Sequence, residues 1–239
     1  MKHSTINYFV IVPAAGTGAR MQIDMPKQYL SLRGKKIIEY TLTALLSYAK
    51  FKRCIVVLNK GDKYWPTLQL HDPRLLTVYG GKERYHSVFN ALLALKAFAK
   101  KNDWVLVHDA VRPLLHHSDI NKLINSLADH PIGGFLVNPV KNTVKYVDDK
   151  QILKTLDRNK VWQAITPQMF RYHWLVNALD SVIKKGQFIT DEANAIELLG
   201  QHAKMVVGRS DNIKITDKDD LTLLDYYLSR QPIELNRSS

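Results

Sequence analysis

The sequence predicts an α/β protein built on a doubly wound parallel sheet. Three observations carry this reading. Short runs rich in Val, Ile, Leu and aromatics recur between residues 8 and 138, and they are apolar nearly throughout rather than alternating. That is the pattern of strands buried on both faces. Segments with apolar residues three and four apart lie between them, as expected of helices with one inward face. The two patterns take turns along the chain, which is the signature of βαβ units.

The elements follow in order. Residues 8–12 read as the first strand, 37–49 as a helix, and 53–58 and 75–79 as strands. Residues 83–100 read as a helix with Val88, Leu92, Leu95 and Ala99 on one side. After a strand at 104–108, Ser118 can cap a helix that turns Ile120, Leu123, Ile124 and Leu127 inward. A strand at 134–138 comes next. Two β-like runs, 143–147 and 152–156, then flank Asp148-Asp149-Lys150 and read as a hairpin. An isolated hairpin is marginal in water, so it leans on the parent domain or on a second subunit. Thr190 can cap a helix through Leu199, and 203–207 and 213–216 read as strands. Thr216-Asp217-Lys218-Asp219 is a capping signature before 221–228. No repeat or linker divides the chain, so one domain over residues 1–239 is expected.

Composition narrows the function. Hydrophobic residues make up 46% of the chain, enough for a sizeable core, and the longest apolar runs fall well short of a membrane span. The N-terminal MKHSTINYFVIVPAAG reads as a first strand rather than a signal peptide. The one cysteine, Cys54, allows no internal disulfide and fits a reducing cytoplasm; its apolar run makes it a buried structural thiol. The net charge of +12 calls for an anionic partner: nucleic acid, a membrane surface or a phosphorylated metabolite. The cations are dispersed, with only short clusters at 33–36 and 100–101, and no basic arm or nucleic-acid motif is present. Dispersed charge fits a soluble enzyme at least as well as a nucleic-acid-binding domain, which stays as the rival reading; with the motifs below, no nucleic-acid or membrane partner is expected.

Ligands of open α/β sheets bind beyond the carboxyl ends of the strands. Several loops predicted at that edge carry glycines, cations or a carboxylate: 13–27, 80–84, 109–113 and 139–143. The first contains Gly16 and Gly18, followed by Arg20 and Lys27. It is not a P-loop, because Ala19-Arg20 stands where Lys-Ser/Thr is required, nor a dinucleotide fingerprint, because Met21 replaces the third glycine. Taken by itself it is either an anion cradle made of backbone N–H groups or a tight strand-to-helix turn. Asp109 ends an apolar strand, where a lone buried carboxylate is costly. It is either a hard ligand for Mg²⁺ at a nucleotide site or a capping or salt-bridged residue, with Arg112 as the candidate partner. His108 reads as a packed core residue, and the nine histidines form no metal-binding pattern.

Along the chain occur VPAAGTGARM, PKQYL, GGKER, VLVHDAVRP, TPQ, ITDEA and DNIKIT. Together these closely resemble the 2-C-methyl-D-erythritol 4-phosphate cytidylyltransferase family, from about residue 10 to residue 228. The resemblance implies a Rossmann-like nucleotidyltransferase sheet with an extended β-arm at about 139–165 that dimerises. It implies a cytoplasmic homodimer that joins CTP to methylerythritol phosphate with Mg²⁺ and releases pyrophosphate; another polyol phosphate, such as ribitol 5-phosphate, is the alternative acceptor. By that resemblance, Ala14, Ala15, Gly16 and Gly18 wrap CTP, Gly81 and Ser87 recognise cytosine, and Ala110 lies beside the ribose. Arg20 and Lys27 stabilise charge developing on the triphosphate, and Asp109 holds the metal. Arg112, Thr143, Arg158, Thr166, Thr190 and Lys214 form the pocket for the phosphorylated alcohol, with Arg158 reaching the partner's site and Arg158 and Lys214 orienting the attacking phosphate. Asp211 is a candidate second carboxylate on the metal side. Lys82 departs from the pattern, since relatives often carry an acidic residue there.

Overall fold

The computed structural model describes residues 6–16 and 25–230. In chain order these form β1 (Tyr8–Pro13), β2 (Ser31–Leu32), β3 (Lys35–Lys36), α1 (Ile37–Leu46), β4 (Phe51–Leu58), β5 (Leu75–Tyr79), α2 (Arg84–Leu95), β6 (Trp104–Val107) and α3 (His117–Leu127). There follow β7 (Gly133–Pro139), β8 (Val144–Asp148), β9 (Gln151–Leu156), β10 (Trp162–Arg171), α4 (Tyr172–Lys184), α5 (Glu192–Glu197), β11 (Lys204–Val207) and α6 (Lys218–Arg230).

Seven strands form one sheet in the order β11-β7-β10-β6-β1-β4-β5, with β10 antiparallel to both neighbours and the other paired strands parallel. Successive strand residues point to opposite faces. Val10, Val56 and Leu106 pack with Leu42 and Leu45 of α1 and Leu123 and Leu127 of α3. Ile11, Ile55 and Val105 pack on the other side with Leu92 of α2, Leu179 of α4 and Ile196 of α5. Both faces are covered, which is why the strands are apolar throughout. The chain moves from β1 outward to β4 and β5, then returns to the other side of β1 as β6. That reversal opens a crevice beyond the carboxyl ends of β1 and β6.

Cys54 lies fully within this core, and burial pushes its thiol up to about 12. The native protein should not react with a thiol reagent at pH 8, and one thiol should appear on denaturation. Rapid native labelling would contradict the placement of β4.

The predicted hairpin forms, with Asp149 and Lys150 both at positive φ in its two-residue turn, the geometry that matches strand twist. It is a separate two-stranded sheet, and Tyr146, Val147, Ile152 and Leu153 are all more than half exposed. Within this chain, then, the hairpin does not rest on the parent sheet.

Several expectations shift. Helix α1 stops at Leu46, and α2 at Leu95 rather than near residue 100, where the Asp103 carboxylate takes the Lys100 N–H at 2.8 Å. His116, not Ser118, caps α3 by accepting the Ser118 N–H. Asp191, not Thr190, caps α5 by accepting the Asn194 N–H at 2.9 Å. The capping pair of α6 falls one residue later, Asp217 with Asp220. Residues 213–216 are not a strand: Ile215 N–H reaches Val111 O, but Ile213 N–H turns back to Asp211 O, so no ladder extends. Strand β10 is unanticipated because Pro167 argues against a central strand. It is accommodated by a break in the β10–β7 register between Ala164 and Gln168.

Candidate active site

The crevice holds a cavity of about 350 Å³. Beyond the end of β1 come Ala14, Ala15 and Gly16; the β5–α2 loop supplies Gly81 and Lys82, and α2 begins with Arg84; the β6 loop supplies Asp109 and Ala110; Lys27, Gln28, Ser87 and Lys214 are also among the lining residues. Several of these positions are set by neighbouring side chains. The buried Gln28 donates through Nε2 to Ala14 O (2.7 Å) and Gly16 O (3.1 Å), and the Ala14 N–H goes to Val57 O at 2.8 Å, so the start of this loop is pinned to β4 and to Gln28. Gly80 must be glycine: a Cβ there would lie 2.6 Å from Ala15 Cβ and 2.7 Å from Ser87 Oγ. This close approach brings the first and second loops together. Ser87 lines the cavity, yet its Oγ accepts from Gly81 N–H and donates to Glu83 O, both at 3.2 Å. Its first task is to shape the Gly81 turn.

Asp109 is the electrostatic centre. Its carboxylate faces Lys214 Nζ at 2.8 Å, Arg84 Nη2 at 3.3 Å and Arg112 Nε at 3.5 Å. Burial by itself would raise its pKa; the three cations override it and hold the group well below the usual carboxylate range. Of its two sequence readings, the salt-bridged one is what the ion pairs show, with Arg112 among the partners, and the same carboxylate lines the cavity. Arg84 is itself gripped by Glu192, with Nη1–Oε1 at 2.6 Å and Nη2–Oε2 at 3.2 Å. Burial raises the Glu192 pKa, against the pull of Arg84.

Behind Asp109, His108 is a core residue, as expected, and fully buried. Its Nε2 lies 3.1 Å from Arg112 O, a pure acceptor, so Nε2 carries the proton and Nδ1 accepts from the Thr166 hydroxyl at 3.1 Å. That hydroxyl accepts in turn from Asp109 N–H. Burial brings the imidazole pKa down to about 4, which suits this neutral tautomer. Asn212 closes the network: its Nδ2 donates to Thr166 O (2.8 Å) and its carbonyl accepts from Arg112 Nη1 (2.7 Å). The irregular path of residues 212–216 thus delivers Lys214 to Asp109.

Of the residues singled out from sequence, Ala14, Ala15, Gly16, Lys27, Gly81, Ser87, Asp109, Ala110 and Lys214 line the cavity. Arg112 and Thr166 are buried in contact with Asp109. Thr143, Arg158 and Thr190 are exposed and do not line it; Arg158 sits below the hairpin, donating to Lys141 O at 3.1 Å. Asp211 is paired with Arg209 rather than turned to Asp109. Gly18 and Arg20 lie outside the described residues. Arg84, Glu192, Gln28 and Asn212 were missed as site residues. They lie within GGKER, ITDEA, PKQYL and DNIKIT, so the motifs held the signal but not the roles.

A family profile described as 2-C-methyl-D-erythritol 4-phosphate cytidylyltransferase matches residues 8–230. A protein of that name from Haemophilus influenzae is 48% identical over 230 residues, 96% of this chain and 100% of that one. One from Aliivibrio fischeri is 45% identical over 226 residues, 94% of each chain. The crystal structure of the Francisella tularensis protein of that name has a TM-score of 0.81 at 35% identity, covering 92% of this chain and 99% of that one.

Proposed function

The chain belongs to the 2-C-methyl-D-erythritol 4-phosphate cytidylyltransferase family, and from that premise we propose a role for each group around the cavity. The enzyme transfers the cytidylyl group of CTP to methylerythritol phosphate and releases pyrophosphate. The acceptor's phosphate oxygen forms a bond to the α-phosphorus, and the bond from that phosphorus to the bridging oxygen of pyrophosphate breaks. Both reactants are anions, so positioning and electrostatics supply the catalysis, and no protein nucleophile is needed.

The observation that carries the residue assignment is Asp109 in the cavity with Lys214, Arg84 and Arg112 converging on it. Backbone N–H groups of Ala15, Gly16 and Gly18 cradle the triphosphate in a loop that Ala14 anchors through its N–H to Val57 O, the Gly81 turn reads the base and Ala110 lies beside the ribose. Arg20 and Lys27 take charge that builds on the leaving pyrophosphate. Lys214 orients the attacking phosphate, and Arg112, Thr166 and Thr190 form the acceptor side. The donor set suits Mg²⁺. No group of three ligating side chains occurs among the described residues, and Mg²⁺ commonly takes one carboxylate and completes its shell with phosphate oxygens and water. Asp109 would hold it, and the ion would neutralise triphosphate charge.

The hairpin at 144–156 lies within the β-arm of a homodimer, in a single domain spanning 1–239. Its exposed Tyr146, Val147, Ile152 and Leu153 favour a second copy as the cover, and Arg158 and Thr143, which do not line this chain's cavity, would serve the partner's acceptor pocket. The free, buried Cys54 suits work in the reducing cytoplasm. Ribitol 5-phosphate is not favoured as the acceptor by a family match running through residues 8–230.

The test is pyrophosphate release with CTP and each alcohol phosphate, with and without Mg²⁺. Turnover with methylerythritol phosphate is expected; turnover only with ribitol 5-phosphate would overturn the acceptor. Arg158→Ala should raise the KM for the alcohol phosphate by about tenfold or more, the loss of one charged hydrogen bond, while calorimetry shows CTP affinity intact. A large loss of CTP affinity would count against the assignment.

A further inference from the structure

Glu192 lies outside the cavity lining and is fully buried at the start of α5. A charge in that position needs a partner. Among the described residues its ion-pair partner is Arg84, which it grips through both terminal nitrogens, at 2.6 and 3.2 Å. The second of those nitrogens continues to Asp109 Oδ1 at 3.3 Å. Lys214 holds the other oxygen, Oδ2, at 2.8 Å. With each oxygen tied to a different cation, the plane of the Asp109 carboxylate is fixed. Glu192 is in turn well anchored: Gln168 donates to Asp191 at 2.9 Å and accepts the Ala193 N–H at 2.9 Å.

We infer that Glu192 is a positioning residue of the transfer site, acting through Arg84 to set the orientation of Asp109 and, with it, of Lys214. The inference rests on the reading that Asp109 and Lys214 stand at the reacting end of CTP. A guanidinium held through both terminal nitrogens by Glu192 offers Asp109 only one of them, at 3.3 Å. Freed of Glu192, Arg84 has Asp109 as its remaining carboxylate and swings fully onto it, displacing Lys214. Neutralising Glu192 also leaves the cavity with one more unit of net positive charge, which favours anion binding. The two effects act on different kinetic constants. Misplaced chemistry lowers kcat, while CTP binds as well as before or more tightly. General damage to packing would weaken both.

The experiment compares wild type, Glu192→Gln, Arg84→Lys and Asp109→Asn for kcat, CTP affinity by calorimetry, and Tm. Glu192→Gln should lower kcat by between about 10- and 100-fold, the cost of a small misplacement, without weakening CTP affinity. Arg84→Lys keeps the charge but loses the fork, and should lower kcat similarly; it carries the test if Glu192→Gln does not fold. A Glu192→Gln enzyme within twofold of wild type, beside a crippled Asp109→Asn, overturns the role of Glu192 and leaves the site reading standing. Loss of CTP affinity in step with a fallen Tm overturns it as well, as a purely structural effect. An unimpaired Asp109→Asn overturns the site reading and this inference together.

Discussion

Asp109→Asn should abolish nearly all turnover, with kcat lower by about 100- to 1000-fold, the cost typical of losing one preorganised electrostatic group. The change is almost isosteric, so shape is kept and charge is removed. A neutral amide is a poor ligand for a hard cation. Whichever oxygen its NH₂ group replaces, it would face a donor, Arg84 at Oδ1 or Lys214 at Oδ2. Three cations now converge on Asp109, and without the carboxylate they repel one another. Breaking a buried charge cluster by removing one partner costs about 3 kcal/mol or more of stability. Denaturation should therefore reveal a lowered midpoint, and kcat must be measured well below it, per folded molecule. Wild-type turnover by folded Asp109→Asn would remove the carboxylate from the mechanism.

That cluster also marks the limit of what sequence reasoning reaches. The strands, most helices and the edge at which loops gather are local properties: apolar runs, periodicity and turn residues record them within a few positions. Asp109 stood out because a carboxylate at the end of an apolar strand is anomalous in its own neighbourhood. Glu192 did not. It lies 108 residues from Arg84, and nothing around it in ITDEA distinguishes a buried charge from a surface one. Ser87 shows a subtler gap. Its residue type suggested a ligand contact, but the spacing to Gly81 and Glu83 lets the hydroxyl brace the turn first. Strand β10 was hidden by Pro167, because a rule for central strands holds only where the ladder is continuous. For Glu192 and β10 the missing information is a long-range pairing that only the assembled sheet creates; for Ser87 it is the local shape of one turn.

Lys27→Ala should lower kcat by about 100-fold, roughly 3 kcal/mol of barrier, while Tm moves little. The asymmetry follows from the placement of the residue. Lys27 lines the cavity, but the short turn that carries it is held by its neighbours. Gln28 is buried against the carbonyls of Ala14 and Gly16, and Tyr29 is buried with its hydroxyl 2.7 Å from Asp62. The backbone at Lys27 therefore keeps its position when the side chain is cut back. What is lost, on the proposed role, is a point charge on a flexible stem, suited to following the β- and γ-phosphates as pyrophosphate departs. An interaction made only in the transition state lowers kcat and kcat/KM equally, whereas one made equally in the ground state raises KM and leaves kcat alone. The pattern of constants thus separates two roles that a static cavity cannot. Equal losses in kcat and kcat/KM place Lys27 on the leaving group; a raised KM at wild-type kcat would make it an ordinary triphosphate clamp and shift the burden of leaving-group stabilisation to Arg20.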